Sequence, residues 1–337
     1  MGRPASSRTR AACRPTHRAL ARLGGISKTT GTLSSEAVRP TPHAAPARPP
    51  WAGILLATLG AIAFAGKAII VKLAYRHGVD AVTLIMYRML FALPLFALLS
   101  VWAGRGKPRL TRRDALTCIG LGFTGYYLAS FLDFAGLAYI SASLERLILY
   151  LNPTLVLAIG FFVFKRPVRR KQLVALGVSY AGVLLVFGQE VTLAGSHVAL
   201  GAALVFGSAV SYALYLAFSG QEVARLGALR LTGLASTAAC VFCIAQFLLL
   251  RPLSAAAVAP EVIQLSLLNA TLCTFAPVLM VMMAIERIGA TLAAQTGMIG
   301  PLSTILLGAV VLGEPITAWV AAGTALVLLG IALLARA

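Results

Sequence analysis

The chain has 337 residues, of which 59% are hydrophobic and 12% charged, and its mean hydropathy is +0.88. That is too apolar for a soluble domain of this length, so the sequence reads as a polytopic membrane protein. The basic residues behind the net charge of +19 cluster in short connections between apolar runs and in the first fifty residues, a distribution that sets membrane topology rather than one that binds nucleic acid.

Residues 1–50 hold nine Arg and Lys against the single acid Glu36, many Ser, Thr and Pro, and no apolar periodicity. They read as a disordered basic extension on the cytoplasmic side. The apolar core of a signal peptide is missing. Two other origins stay open at this point: an Arg- and Ser-rich transit peptide, and a later start near Val38, since no Met lies between Met1 and Met86.

From Trp51 the chain resolves into ten apolar runs, near the length of about 20 residues that crosses a hydrocarbon core of about 30 Å. The predicted helices are 52–74, 80–102, 115–137, 142–164, 171–188, 198–218, 231–250, 262–285, 288–312 and 316–335. Only the neighbourhood of Ile140 separates the third from the fourth, and only Glu286 to Gly289 separates the eighth from the ninth.

The chain is written twice. Under one gapless offset of 148 residues Gly53 falls on Gly201, Ala65 on Ala213, Ile140 on Ile288, Pro153 on Pro301, Gly160 on Gly308 and Pro167 on Pro315. The base counts of the connections reverse between the copies. Arg105 to Arg113 and Lys165 to Lys171 are strongly basic, whereas the matching second-half connections carry Arg251 alone and, around Glu314, no base. Five helices per copy in opposite orientations account for this: an all-α protein of ten transmembrane helices in two inverted five-helix repeats, 51–188 and 198–336, with both termini cytoplasmic.

The half-motifs Ser-Ala142-Ser-Leu144 up to Pro153 and Pro167, and Gly289-Ala-Thr-Leu292 up to Pro301 and Leu312-Gly-Glu314-Pro315, resemble the paired EamA repeats of the drug/metabolite transporter superfamily. Lys72, Arg88 and Ser211-Tyr212-Ala-Leu-Tyr215 fit the same pattern. The resemblance implies a secondary-active permease or exporter of small metabolites in the cell membrane, the bacterial inner membrane. The substrates it implies are amino acids or related compounds. One departure stands out: the first copy has Lys165-Arg166-Pro167 where the family shows Gly-Glu-Arg, so that acid is dispensable here or its task falls to Glu314 alone.

Charges inside spans are the most informative residues, because one at the bilayer centre costs at least about 2.5 kcal/mol. They are Lys67, Arg88, Asp133, Glu145 and Arg146, all in the first half. Arg88 is the deepest. Its planar fork suits a carboxylate or phosphate, while helix carbonyls or Asp133 are the competing partners. Asp133 and Glu145 could carry a coupled proton or could be permanently paired with Lys67 or Arg146. Glu145 and Arg146 are adjacent and so on different helix faces, and one of them could instead sit at the membrane interface. Lys72 is close enough to its helix end to snorkel. Tyr150, Asn152, Tyr212, Tyr215, Asn269 and Gln295 are candidate substrate contacts, each also suited to joining helices. Pro153 and Pro301 would displace the carbonyls of Leu149 and Gly297, giving either packing kinks or breaks that face a cavity. Small residues such as Gly60, Gly66, Gly120, Gly122 and Gly125 would let helices approach closely.

Enzymatic and metal readings find little. Cys240 and Cys243 form a C-x-x-C pair without His or acidic company, all four His lie outside the spans, and there is no glycine-rich phosphate loop. The expected partners are a small-molecule substrate, the bilayer and protons as candidate coupling ion, with no cofactor, no metal and no nucleic acid. The alternative to a carrier is a non-transporting membrane protein, an intramembrane enzyme or interaction scaffold. Repeat symmetry favours the carrier, since alternating access needs two comparable halves.

Overall fold

The computed structural model describes residues 50–335 except 164, 166, 195, 196 and 298; side chains at 50, 193, 194, 220, 221, 224, 285, 286, 289–292, 294, 295 and 335 also lie outside the description. The expected extension over residues 1–50 falls almost wholly outside it. Among the described residues the fold is all-helical, with ten helices: α1 Pro50–Tyr75, α2 Ala81–Gly104, α3 Arg112–Leu137, α4 Ala142–Phe162, α5 Arg170–Ala194, α6 His197–Leu226, α7 Ala228–Leu250, α8 (260–297), α9 Ile299–Leu312 and α10 Ala318–Ala335. Eight are long and apolar enough to cross a membrane, and α9 and α10 are shorter apolar helices.

The helix starts follow from local chemistry. Asp80 precedes α2 and accepts the N–H groups of Val82 and Thr83, Thr111 and Asp114 form a reciprocal capping box at α3, and the Ser141 hydroxyl accepts from Leu144 at α4. Gly227, at a φ of 86°, is the sole residue between α6 and α7, a conformation that requires glycine.

Successive helices reverse direction and define two faces. On one, where α1 begins, Lys107 donates to the Leu226 carbonyl (2.9 Å) and Arg230 to that of Pro108 (3.0 Å). We call this the basic face. On the opposite face Arg251 pairs with Asp80 at 3.1 Å, and Arg76 donates to the Leu312 carbonyl at 3.0 Å.

The expected loop at Glu286–Gly289 is absent: the chain is helical without interruption over Ala276–Gly297. The hairpin survives as a corner. Ile288 lies against Gly53 near the start of α1, yet Gly300 lies beside the Ala61 carbonyl, eight residues further along α1. A straight helix rising about 1.5 Å per residue would have carried residue 300 away from Ala61, so α8 and α9 are separate passes.

The repeat is visible in three dimensions. Arg112–Gly122 and Pro260–Ala270 are both α-helical and both lead into a π-helical turn, at Phe123–Leu128 and Thr271–Phe275. Both starts, Arg112 and Pro260, and both switches to the π turn, Phe123 and Thr271, differ by the offset seen in the sequence. Packing follows it too: α1 packs on α8 as α6 packs on α3, while α2–α7 and α5–α10 join equivalent helices. In the last pair Gly182 faces Gly323 and Val327, and its mate Gly330 faces Ala175 and Ser179, the mates of those residues. Such contacts leave no room for a Cβ, and they hold backbones together where lipid supplies no hydrophobic drive between helices.

Candidate functional site

A cavity of about 660 Å³ lies among the helices of both halves. Its lining stops at Lys67 on α1 and Asp133 on α3, but continues along α6 to Val223 and to Ala228 at the start of α7. The cavity thus runs from mid-depth toward the basic face and ends, in the other direction, at a layer of charge.

That layer is Lys67, Asp133, Glu145 and Arg146, all at most 6% exposed. Lys67 bridges the two carboxylates, paired to Asp133 Oδ2 and 3.2 Å from Glu145 Oε1. Arg146 turns elsewhere, donating from Nε to the Thr304 hydroxyl (2.9 Å) and from Nη2 to the Phe64 carbonyl (3.3 Å). A buried charge is stable only when paired or fully hydrogen-bonded, and here one ammonium serves two acids while one guanidinium ties α4 to α1 and α9.

Arg88 stands apart. It is 5% exposed, lines the cavity, lies over the Phe134 ring at 5.0 Å, and donates from Nε to the Thr274 hydroxyl at 3.0 Å. Among the described residues Nη1 has no hydrogen-bond partner and no carboxylate pairs with the guanidinium. The π turn in α8 positions its hydrogen-bond acceptor, since Thr274 donates in turn to the Asn269 carbonyl five residues back at 2.8 Å. π turns mark functional sites often enough to be informative.

Across the cavity stands an aromatic wall. Tyr126 meets Tyr215 edge to face, with their hydroxyls 3.2 Å apart, and Tyr212 stacks on Tyr215. A Cβ at Gly125 would collide with the Tyr215 ring, so the glycine is what admits it. Between the walls the two proline breaks meet: the Tyr150 hydroxyl donates at 2.9 Å to the carbonyl of Gly297, the group that Pro301 frees.

Many of the lining residues are mates under the repeat, among them Gly60 and Ser208, Phe64 and Tyr212, Lys67 and Tyr215, Arg88 and Ser236, Tyr126 and Thr274, and Asp133 and Val281. A cavity lined by equivalent positions lies on the pseudo-two-fold axis, where inverted-repeat transporters handle their substrates.

Comparison with known proteins agrees. The model of the EamA-like transporter family matches residues 51–188 and again 199–336. The chain belongs to the EamA-like transporter family. The uncharacterized transporter YcbK of Bacillus subtilis (strain 168) is 31% identical over 277 residues, 78% of this chain and 86% of that protein. A WAT1-related protein of Arabidopsis thaliana is 34% identical over 146 residues, 43% of this chain and 37% of its own length. The fold superposes on a solved crystal structure with a TM-score of 0.57 and 17% identity, covering 85% of this chain and 98% of that one.

The EamA half-motifs acquire a physical role here. Glu314 accepts the N–H of Ala142 (2.8 Å) and the N–H and hydroxyl of Ser143 (3.3 and 3.0 Å), while Glu190 accepts from both the N–H and the hydroxyl of Ser141. Two carboxylates thus hold the positive end of α4. The mate of Glu314 is Arg166, which lies outside the described residues.

The structure places Arg88, Lys67, Tyr150, Asn152, Tyr212, Tyr215, Asp133 and Arg146 in the lining. Four readings are corrected. Arg146 forms no ion pair among the described residues, because Thr304 and the Phe64 carbonyl take its N–H groups. Glu145 is fully buried behind Lys67 rather than at an interface. Asn269 is buried outside the lining, because it precedes the π turn and only Thr274 within that turn is carried round to the cavity. Pro153 and Pro301 sit in first turns rather than in mid-helix, Pro153 in the second segment of α4 after a break at Tyr150 and Leu151, and Pro301 as the third residue of α9. The Gln295 side chain lies outside the described residues. Sequence reasoning missed Tyr126, Phe64 and Ser236, although the offset from Thr274, Tyr212 and Arg88 points to each.

Proposed function

We propose that this EamA-family protein is a secondary-active carrier, not an enzyme, that moves a small metabolite bearing an acidic group, such as an amino acid or related compound, by alternating access. One observation carries the reading: Arg88 is a buried, permanently charged fork with no acid paired to it among the described residues, facing a cavity large enough for a metabolite. An unpaired charge there is costly. An anionic ligand group offsets that cost and engages the free Nη1, while Tyr150, Asn152 and the tyrosine wall contact the rest of the molecule. Gln295 remains a candidate contact.

The test is reconstitution with a substrate panel. Arg88→Lys keeps charge but loses the fork and should weaken apparent affinity for acidic substrates; Arg88→Gln should weaken it further, by about tenfold or more, the scale of a charge-assisted hydrogen bond. Unchanged affinity in both variants, with normal membrane levels, contradicts the reading.

Protons are the proposed coupling ion. The Lys67 group supports this, because Asp133 faces the cavity while Glu145 lies behind it on the same ammonium. Transport driven by an imposed pH gradient that stays fully gradient-dependent in both Asp133→Asn and Glu145→Gln removes the proton role.

The proposed setting is the bacterial inner membrane, with units 51–188 and 198–336 inverted in it and the basic face, hence both termini, cytoplasmic. Impermeant labelling from outside should reach 313–317 and miss 165–171.

A further inference from the structure

An inverted repeat lets the state that is seen serve as a template for the state that is not. Lys67, Val71 and Tyr75 are spaced by four residues and share one face of α1. That face meets α3. Lys67 is paired to Asp133, the Tyr75 hydroxyl donates at 2.5 Å to the Phe134 carbonyl, and Val71 and Phe134 are fully buried in one apolar cluster. This seam closes the cavity toward the opposite face.

The mates of those five residues are Tyr215, Ser219 and Val223 on α6 and Val281 and Met282 on α8. All five line the cavity. The equivalent seam therefore stands open in this structure. The helices that would close it belong to two bodies, each held by its own close contacts. In one, Gly60 of α1 packs at the Pro277 carbonyl of α8; in the other, its mate Ser208 on α6 donates to the carbonyl of Ala129 on α3, the mate of Pro277, at 2.7 Å. The α1–α3 seam lies between the bodies at one end, and the α6–α8 pair faces across the cavity at the other.

We infer that in the alternate state α6 closes on α8, with Tyr215 against Val281 and Val223 against Met282, while the Lys67 seam parts. The inference rests on the carrier reading and specifies its moving surfaces. It makes the two gates chemically unlike. The opposite-face gate is ionic and hydrogen-bonded, and the basic-face gate is apolar, since Val281 stands where Asp133 would and Ser219 already donates its hydroxyl to the Leu216 carbonyl of its own helix. Charge must be separated to open one gate and not the other.

The test uses full-length protein in membrane vesicles, with the five native cysteines replaced. One variant carries Val223→Cys with Met282→Cys, a mild exchange on the lining, and a second carries Tyr215→Cys with Val281→Cys. Ser143→Cys with Glu314→Cys is the control, a pair already in contact. Each gate variant also carries Ser130→Cys as a reporter inside the cavity. After copper-phenanthroline oxidation both gate pairs should form disulfides. The reporter should then react with an impermeant thiol reagent about tenfold more slowly from the basic-face side and faster from the opposite side, the signature of a shifted two-state equilibrium. Gate pairs that stay reduced while the control pair oxidises overturn the inference, and so does a cross-linked protein whose reporter keeps its basic-face reactivity. Neither readout needs a substrate. Sidedness that switches on cross-linking, together with wild-type, uncross-linked protein that moves no solute of a broad panel, would sink the carrier reading and leave the gate standing.

Discussion

The two copies of the repeat share a backbone and differ in chemistry. Where the first half places Lys67, Arg88, Asp133 and Glu145, the second places Tyr215, Ser236, Val281 and Ala293, yet the π turns, the glycine contacts and the proline breaks recur in register. What is common to the copies builds the scaffold and the cavity, and it underlies the inferred pair of gates. What differs is the chemistry of the lining, a charged wall from the first half and an aromatic wall from the second, which under the proposed function meet the acidic end of a ligand and its remainder.

The comparison can be broken most forcefully at Lys67. Lys67→Met leaves two buried carboxylates without their cation and should cost about 3–5 kcal/mol, the scale for removing one partner of a buried pair. It should show as a lower unfolding temperature in detergent. Adding Asp133→Val and Glu145→Ala, which writes the second half's residues into the first, should recover most of that loss. A triple variant as unstable as the single one would mean that the charges are not the source of the effect.

On the other wall, Gly125→Val forces a branched side chain into the face of Tyr215 and should cost about 1–3 kcal/mol by overpacking; Tyr215→Ala in the same chain should relieve part of it. Where the halves meet, Tyr150→Phe leaves the Gly297 carbonyl without its donor. The expected loss is about 1 kcal/mol, in line with hydrogen bonds between membrane helices. The smallest effect lies outside the membrane, at Asp80. Burial pushes its carboxyl up, but the Thr83 hydroxyl, the N–H groups of Thr83 and Val82 and the Arg251 guanidinium outweigh that and hold it below the usual carboxylate range. A depressed acid contributes stability above its unfolded value of about 4, lost as pH falls through the folded one. Unfolding temperature measured below pH 4 should therefore fall slightly more for wild type than for Asp80→Asn.

Much of this could be read in advance because membranes punish charge. Lys67, Arg88, Asp133 and Arg146 were conspicuous as ionisable residues in apolar runs, and all four line the cavity. Tyr126 and Ser236 were not, since a hydroxyl in a helix costs little and looks like packing. The π turns were invisible to a fixed helical period. Each adds a residue to one turn and changes which side chains face inward, which is how Thr274 reaches Arg88 while Asn269 does not reach the cavity. The α8–α9 connection was expected at Glu286 to Gly289, the short interruption between two apolar runs, yet the backbone is helical over Ala276–Gly297.

The central claim is that Arg88 holds the acidic group of a transported metabolite. It is tested most directly in proteoliposomes by comparing uptake of metabolite acids with uptake of their neutral amides, in wild type and in Arg88→Gln. The account predicts that wild type moves an acid in strong preference to its amide, and that Arg88→Gln loses the preference while still folding and inserting. Equal transport of acid and amide by wild type, or a preference that survives Arg88→Gln, contradicts it.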